Sequence, residues 1–174
     1  HFDKKFNIPQ NTLITGKYYD KWDDKLTIYY SMEEGNIWTD YLANDKGWFL
    51  VSDKLKRVLE FVNSDIQFLK VTVEEYKNTN LVKEYYFANV LRVVDALCLK
   101  KSKYFETEIP GIGTVYTVSK YGIYSNKVEN SDVFKLANRQ QVPLFVSEKF
   151  KKLIEEKQIT GIKLTEIDVD ASES

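Results

Sequence analysis

Side chains able to do chemistry are scarce in this chain. Histidine occurs once, at His1, and cysteine once, at Cys98. A serine or cysteine nucleophile needs a base beside it, most often histidine, so a histidine-based triad is nearly excluded. Cys98 stands between Leu97 and Leu99 and reads as a buried structural thiol. The same scarcity argues against zinc, whose sites draw on several His and Cys ligands. Asp20, Asp23 and Asp24 lack the spacing and the glycine of a calcium loop; they read as a solvated turn. Gly111-Ile112-Gly113 follows Pro110 and precedes a strand-like run, which fits a hairpin turn better than a loop opening a helix onto phosphate. The carboxylate pairs Asp23-Asp24, Glu33-Glu34, Glu74-Glu75 and Glu155-Glu156 could hydrolyse a glycoside only if two carboxylates faced each other across a cleft. Adjacency gives no such placement. The expectation is no catalytic residue, no metal and no cofactor.

The elements that would position any site follow an α+β pattern: an antiparallel or mixed sheet with a few amphipathic helices packed on it. One unit occurs twice, at 48–71 (WFLVSDKLKRVLEFVNSDIQFLKV) and at 142–164 (VPLFVSEKFKKLIEEKQITGIKL). Each copy is an apolar run, a Val-Ser step, an acidic residue with Lys, an amphipathic helix and a return strand. Ser52 and Ser147 suit the N-cap, and Asp53 and Glu148 suit the positive end of the helix dipole. Leu55, Val58, Leu59 and Val62 form one stripe; Phe150, Leu153 and Ile154 form the other. Asn63-Ser64 ends the first helix, and Gly161 sits where the second needs a left-handed residue. Elsewhere, residues 2–17 read as extended and loop-like, and 25–31 (KLTIYYS) as a strand. Residues 74–80 read as a polar connection, and 85–99 as strands on their β-branched and aromatic content. Pro110-Gly111 marks a turn before a strand at 113–120, residues 121–124 continue as a short strand, and 132–136 are extended. A single domain over 2–168 is expected, with an acidic flexible tail at 169–174.

Size and charge narrow the partners. A chain of 174 residues with 43% hydrophobic residues can bury a core unaided. Its formal net charge of -1 sets up no global field for nucleic acid or an anionic membrane. The clusters Lys100, Lys101, Lys103 and Lys149, Lys151, Lys152 alternate with acidic stretches, whereas a nucleic-acid surface is more one-sided. No apolar run approaches the length of a membrane span. One cysteine fits a reducing cytosol. The chain begins with His1 and not Met, so His1 reads either as an added residue or as the start of a shortened sequence.

Residues 18–41 are dense in aromatics: Tyr18, Tyr19, Trp22, Tyr29, Tyr30, Trp38 and Tyr41. Neighbours on a strand point to opposite faces, so doublets such as Tyr18-Tyr19 cannot both turn inward. Some aromatic surface is therefore expected to be available to a partner.

The segments Gly-Trp-Phe-Leu-Val-Ser-Asp-Lys-Leu-Lys at 47–56, Tyr-Tyr-Phe-Ala-Asn-Val-Leu-Arg-Val-Val-Asp-Ala-Leu at 85–97, Asp-Val-Phe-Lys-Leu at 132–136 and the second unit through Ile162 occur in a telling order. Together they resemble a bacterial family of immunity proteins of polymorphic toxin systems, over roughly 47–167. The N-terminal third shows no matching motif, and Lys135 departs from the Arg commoner in that family. The resemblance implies a cytoplasmic protein that neutralises a cognate protein toxin by direct binding, without catalysis and without nucleic acid or membrane as partner. The matched motifs look like scaffold and transfer no binding residues. The partner surface is therefore expected in the aromatic stretch, at Tyr18, Tyr19, Trp22, Asp23, Asp24, Trp38 and Tyr41. Two other readings stand beside this one: a small hydrolase or transferase using carboxylates and tyrosines, and a phage- or surface-associated interaction domain. Oligomeric state is left open.

Overall fold

The computed structural model describes residues 8–170, apart from 32, 34, 36, 63, 64, 77, 112 and 138–142 and the side chains at 78–80 and 170. His1, the expected helix end at Asn63-Ser64 and residues 171–174 of the expected tail lie outside the described residues.

The centre is a β-hairpin of two long strands. The run Ile66–Glu75 alternates apolar and polar residues and pairs antiparallel with Asn78–Val90. Five strands assemble around it: β1 (Thr27–Tyr30), β2 (Tyr41–Leu42), β3 (Leu50–Val51), β4 (Ile66–Glu75) and β5 (Asn78–Val90), in the order β1-β4-β5-β3-β2. β1 runs parallel to β4, and the other pairings are antiparallel. Period-two alternation sends Leu69, Val71, Val73, Tyr85 and Phe87 to one face, where Leu13, Ile28, Trp48 and Leu50 complete a core. Phe68, Tyr86, Ala88 and Val90 go to the other face.

Two helices, α1 (Asp53–Phe61) and α2 (Glu148–Glu156), cover that second face. Leu55, Val58 and Leu59 of α1 share one core with Phe150 and Ile154 of α2. The caps are as expected. Ser52 Oγ accepts the Leu55 N–H at 3.2 Å, and Ser147 Oγ accepts the Phe150 N–H at 3.1 Å. A nine-residue helix is marginal in water alone. Burying one Leu or Phe is worth about 1.5–3 kcal/mol, against about 1 kcal/mol for a cap. Packing on the sheet therefore holds these helices, and the caps fix where they start.

The remaining strands are β6 (Val93–Val94), β7 (Lys103–Ile109), β8 (Gly113–Lys120), β9 (Gly122–Tyr124), β10 (Val133–Leu136), β11 (Phe145–Val146) and β12 (Asp168–Asp170). They form a small sheet in the order β11-β10-β6, a β9-β12 pair and a β7-β8 ribbon. A third core of Ala96, Leu97, Ile123, Phe134, Leu136 and Phe145 lies beneath them. Cys98 is buried.

Four local expectations change. Gln10–Leu13 is a 3-10 turn with Leu13 in the core, in place of a loop. The polar connection at 74–80 shrinks, because β4 continues to Glu75 and β5 starts at Asn78. Strand β12 takes Val169 and Asp170 out of the expected tail, since both pair with β9. The second unit lacks its return strand: residues 162–167 belong to no strand. Its exit differs because Gln158 (φ 50°) and Gly161 (φ 85°) turn the chain toward the first unit. A Cβ on Gly161 would lie 2.5 Å from the Tyr41 carbonyl oxygen, so this contact admits only glycine.

The repeat also extends upstream of its sequence signature. Asp40 precedes β2 as Asp132 precedes β10, and the registers match: Tyr41↔Val51 and Leu42↔Leu50, Val133↔Val146 and Phe134↔Phe145. Each cap serine also donates its hydroxyl to the upstream aspartate, Ser52 to Asp40 Oδ1 and Ser147 to Asp132 Oδ1, both at 2.7 Å.

Candidate partner-binding surface

The aromatic stretch is drawn onto the first face of the main sheet by two polar side chains of the central hairpin. Gln67 and Asn89 stand opposite each other on β4 and β5. Gln67 accepts the Tyr19 N–H at 3.0 Å and donates its amide to the Tyr19 carbonyl at 2.6 Å. Asn89 donates to the Lys17 carbonyl at 2.8 Å. The two side chains act on residues 17–19 as a neighbouring strand would. Beyond them, Trp22 donates its indole N–H to the Lys70 carbonyl at 2.7 Å and meets Phe87 edge to face at 5.6 Å.

The seven expected contact residues consequently divide. Tyr18 is 71% exposed, and Asp23 and Asp24 are exposed. Asp23 Oδ1 accepts the Lys25 N–H, which shapes the turn into β1. Tyr19, Trp22, Trp38 and Tyr41 are partly buried. Trp38 packs between Tyr30, at 4.5 Å, and Tyr85, at 6.0 Å, beneath the Lys83 ammonium. Tyr41 belongs to the core on the opposite face, beside Phe49, so the structure separates it from the other six. Burial raises its pKa.

Next to Trp38, a cavity of about 480 Å³ opens between β1 and residues 37–45, walled by Ile28, Tyr30, Trp38, Leu42, Leu50 and Val73. Tyr30 Oη is buried there without a hydrogen-bond partner among the described residues. Burial and the Glu75 carboxylate raise the Tyr30 pKa, and the Trp38 side chain acts in the opposite sense. The deeper Tyr85 hydroxyl donates to the Thr39 carbonyl at 2.7 Å, and burial, helped by the Asp40 charge, pushes it up to about 12.

Asp40 joins the two units. Its Oδ2 accepts the Thr160 N–H at 2.9 Å and the Thr160 hydroxyl at 3.0 Å, while Lys54 Nζ lies 3.8 Å away. Burial opposes the Asp40 charge, but the bonds from Ser52 and Thr160 and the charge of Lys54 outweigh it and lower its pKa. This carboxylate is held ionised by structural bonds and is poorly placed as a proton donor. Among the described residues, no three His, Cys, Asp or Glu side chains gather as a metal site would require. No helix among them is long and apolar enough to cross a membrane.

The surface that sequence reasoning passed over is the β7-β8 ribbon. All seven residues of β7 are exposed, and Phe105 is 73% exposed. Its sequence signal was a hairpin signal only. Alternation and a Pro-Gly turn say that two strands pair, and nothing local says whether anything covers them.

With this geometry in place, residues 3–169 match the immunity protein family (Imm11). The chain belongs to that family. The match includes the N-terminal third, where the quoted segments had no counterpart, in keeping with the way residues 17–22 are bonded to the sheet. No curated protein matches the chain. For a member of an immunity family, the surfaces that matter are those free to meet another protein. The exposed rim of the aromatic stretch, the cavity mouth and the ribbon are among the exposed surfaces here.

Proposed function

We propose that this chain neutralises a cognate bacterial toxin by binding it directly in the cytoplasm, with no turnover of its own. The observation that carries the reading is membership of the immunity protein family over nearly the whole chain. The scarcity of nucleophile–base pairs in the sequence agrees with a role that needs shape and not chemistry. Tyr18, Asp23 and Asp24, with the open edges of Tyr19, Trp22 and Trp38, offer one contact patch, an aromatic centre with acidic neighbours of the kind that recurs at protein interfaces.

The test is co-expression with the toxin encoded beside this chain. Co-purification of the two proteins and survival of toxin-expressing cells are the expected results. Absence of both a complex and rescue would overturn the reading. Within it, Tyr18→Ala with Asp24→Ala should weaken the complex while leaving the melting temperature unchanged, because these two side chains are exposed. Unchanged affinity would remove the patch from the interface.

A further inference from the structure

The β7-β8 ribbon has a fixed root and an uncovered shaft. At the root, Ser102 Oγ donates to the Cys98 carbonyl at 2.8 Å and accepts the Gly122 N–H at 3.0 Å. A Cβ on Gly122 would lie 2.4 Å from Lys101 Cβ, so the strands leave the body through a close backbone crossing. Val118 packs on the third core, and Lys120 pairs with Asp168 at 2.6 Å. Past this point β7 and β8 form a two-stranded sheet of their own.

The register sorts the shaft into two unlike faces. Phe105↔Thr117, Thr107↔Val115 and Ile109↔Gly113 share one face, which beyond Lys103 at the root carries no charge. Tyr104↔Val118, Glu106↔Tyr116 and Glu108↔Thr114 share the other. There Tyr104 and Tyr116 meet edge to face at 5.3 Å, and Thr114 donates to Glu108. A two-stranded ribbon is marginally stable alone in water, and its two edges, unpaired beyond each other, add an aggregation hazard. A covering partner removes both costs.

We propose that this ribbon is a second element that engages the cognate toxin, inserted into a cleft that covers both of its faces. The proposal rests on the toxin-binding reading above and adds to it a contact beyond the aromatic patch. Magnitudes select the cleft. The five residues of β7 beyond the root, Phe105 to Ile109, make a shaft of roughly 17 Å, and a ribbon about 10 Å wide and about 10 Å thick offers roughly 170 Å² on one face and about 680 Å² all round. A specific interface at the lower end of the usual range takes about 600 Å² from each partner. One face is too small, and an enveloped shaft is sufficient. The same arithmetic disfavours a second copy of this chain stacked face to face. Antiparallel pairing of two β7 edges centred on Glu106 would also set the two Glu106 carboxylates opposite each other, and centring on Thr107 would set Glu106 against Glu108. The matching cleft has one apolar, uncharged wall for Phe105, Ile109 and Val115 and a second wall bearing cations toward Glu106 and Glu108.

The test uses the full chain and the purified toxin encoded beside it, with affinity by calorimetry, mass by light scattering and melting curves on every variant. Phe105→Lys with Ile109→Lys is expected to weaken binding about thirtyfold or more, as for the loss of a hot spot, at an unchanged melting temperature. Glu106→Lys with Glu108→Lys, on the other face, is a second variant should the first fold poorly; it is expected to weaken binding at least about tenfold. Phe61→Lys, at the 76% exposed end of α1, should stay within about threefold of the parent. Folded ribbon variants that bind within about threefold of the parent, or a Phe61→Lys loss as large as theirs, would overturn the proposal while leaving toxin binding itself intact. The same holds if the ribbon variants split a dimer without changing toxin affinity. A parent chain that binds no toxin defeats the functional reading first and this inference with it.

Discussion

At the start of α1, Ser52 stands between its helix and Asp40; at the start of α2, Ser147 stands between its helix and Asp132. Both serines donate their backbone N–H to the same aspartate's carbonyl, at 2.8 and 2.9 Å. Both helices carry a lysine two residues on, Lys54 and Lys149, directed at the outer carboxylate oxygen. The entrances are nearly superimposable in their bonding, and the exits are not. After α1 the chain becomes β4, the strand between β1 and β5. After α2 it turns through Gln158 and Gly161 and spends its polar groups on Asp40. One unit builds the sheet and the other locks onto the first. Similar local sequence sets a helix start; the surroundings decide where the chain goes after the helix ends.

The comparison can be broken first at the aspartates. Asp40→Ala removes the acceptor for Ser52 and for two Thr160 donors and should cost about 3 kcal/mol, since bonds to a charged group are worth more than neutral ones. Asp132→Ala, which frees Ser147 and Lys149, should cost about 2 kcal/mol. Urea denaturation of both variants measures the gap, and a larger loss at Asp132 would contradict the locking role given to Asp40. Because Asp40 has a lowered pKa, its contribution is fully present above the ordinary carboxylate range. It declines as pH falls through the folded-state value, and Asp40→Asn should flatten that decline.

A second contrast lies three residues after each aspartate, where the first unit has exposed Ala43 and the second has buried Lys135. Lys135 Nζ donates to the Leu13 carbonyl at 2.9 Å, and burial pushes its pKa down to about 8. Between that value and the unfolded value near 10.5, the unfolded chain holds a proton that the folded chain has released, so stability rises with pH. Denaturation from pH 8 to pH 10 should show a gain of up to roughly 2 kcal/mol. Above it the raised pKa values of Tyr85 and Tyr86, each about 12, reverse the slope. Lys135→Met should abolish the gain. A parent profile flat over this range would mean that the ammonium is solvated.

The smallest effect tests the shared part. Ser52→Ala and Ser147→Ala should each cost about 1 kcal/mol, and closely similar amounts. A difference as large as the one between the aspartates would show that the entrances are not equivalent.

How much could be read from the residues depends on the range of each interaction. Caps, apolar stripes, the Pro-Gly hairpin and the strand character of 85–94 depend on near neighbours, and they were legible; past Val94 the expected strand gives way to irregular chain and a 3-10 turn at Leu99–Lys101. Asp40 and Asp132 were not, because the serines they serve lie 12 and 15 residues away and meet them only after a strand pair forms. The partial burial of Trp22 and Trp38 depends on Gln67, Lys70 and Tyr85, distant positions that no composition rule connects to an aromatic run. The exposure of β7 was hidden for the opposite reason. Alternation announces a strand whether or not another layer covers it.

The bonds between Asp40 and Thr160 span 120 residues, which gives them a meaning in time as well as in space. A ribosome delivers Asp40, β3, the whole of α1 and the central hairpin well before Thr160 emerges. Until then, one oxygen of the aspartate behind the first helix cap waits for donors that have not yet been synthesised. The cell therefore completes the first unit only when it has nearly finished the last.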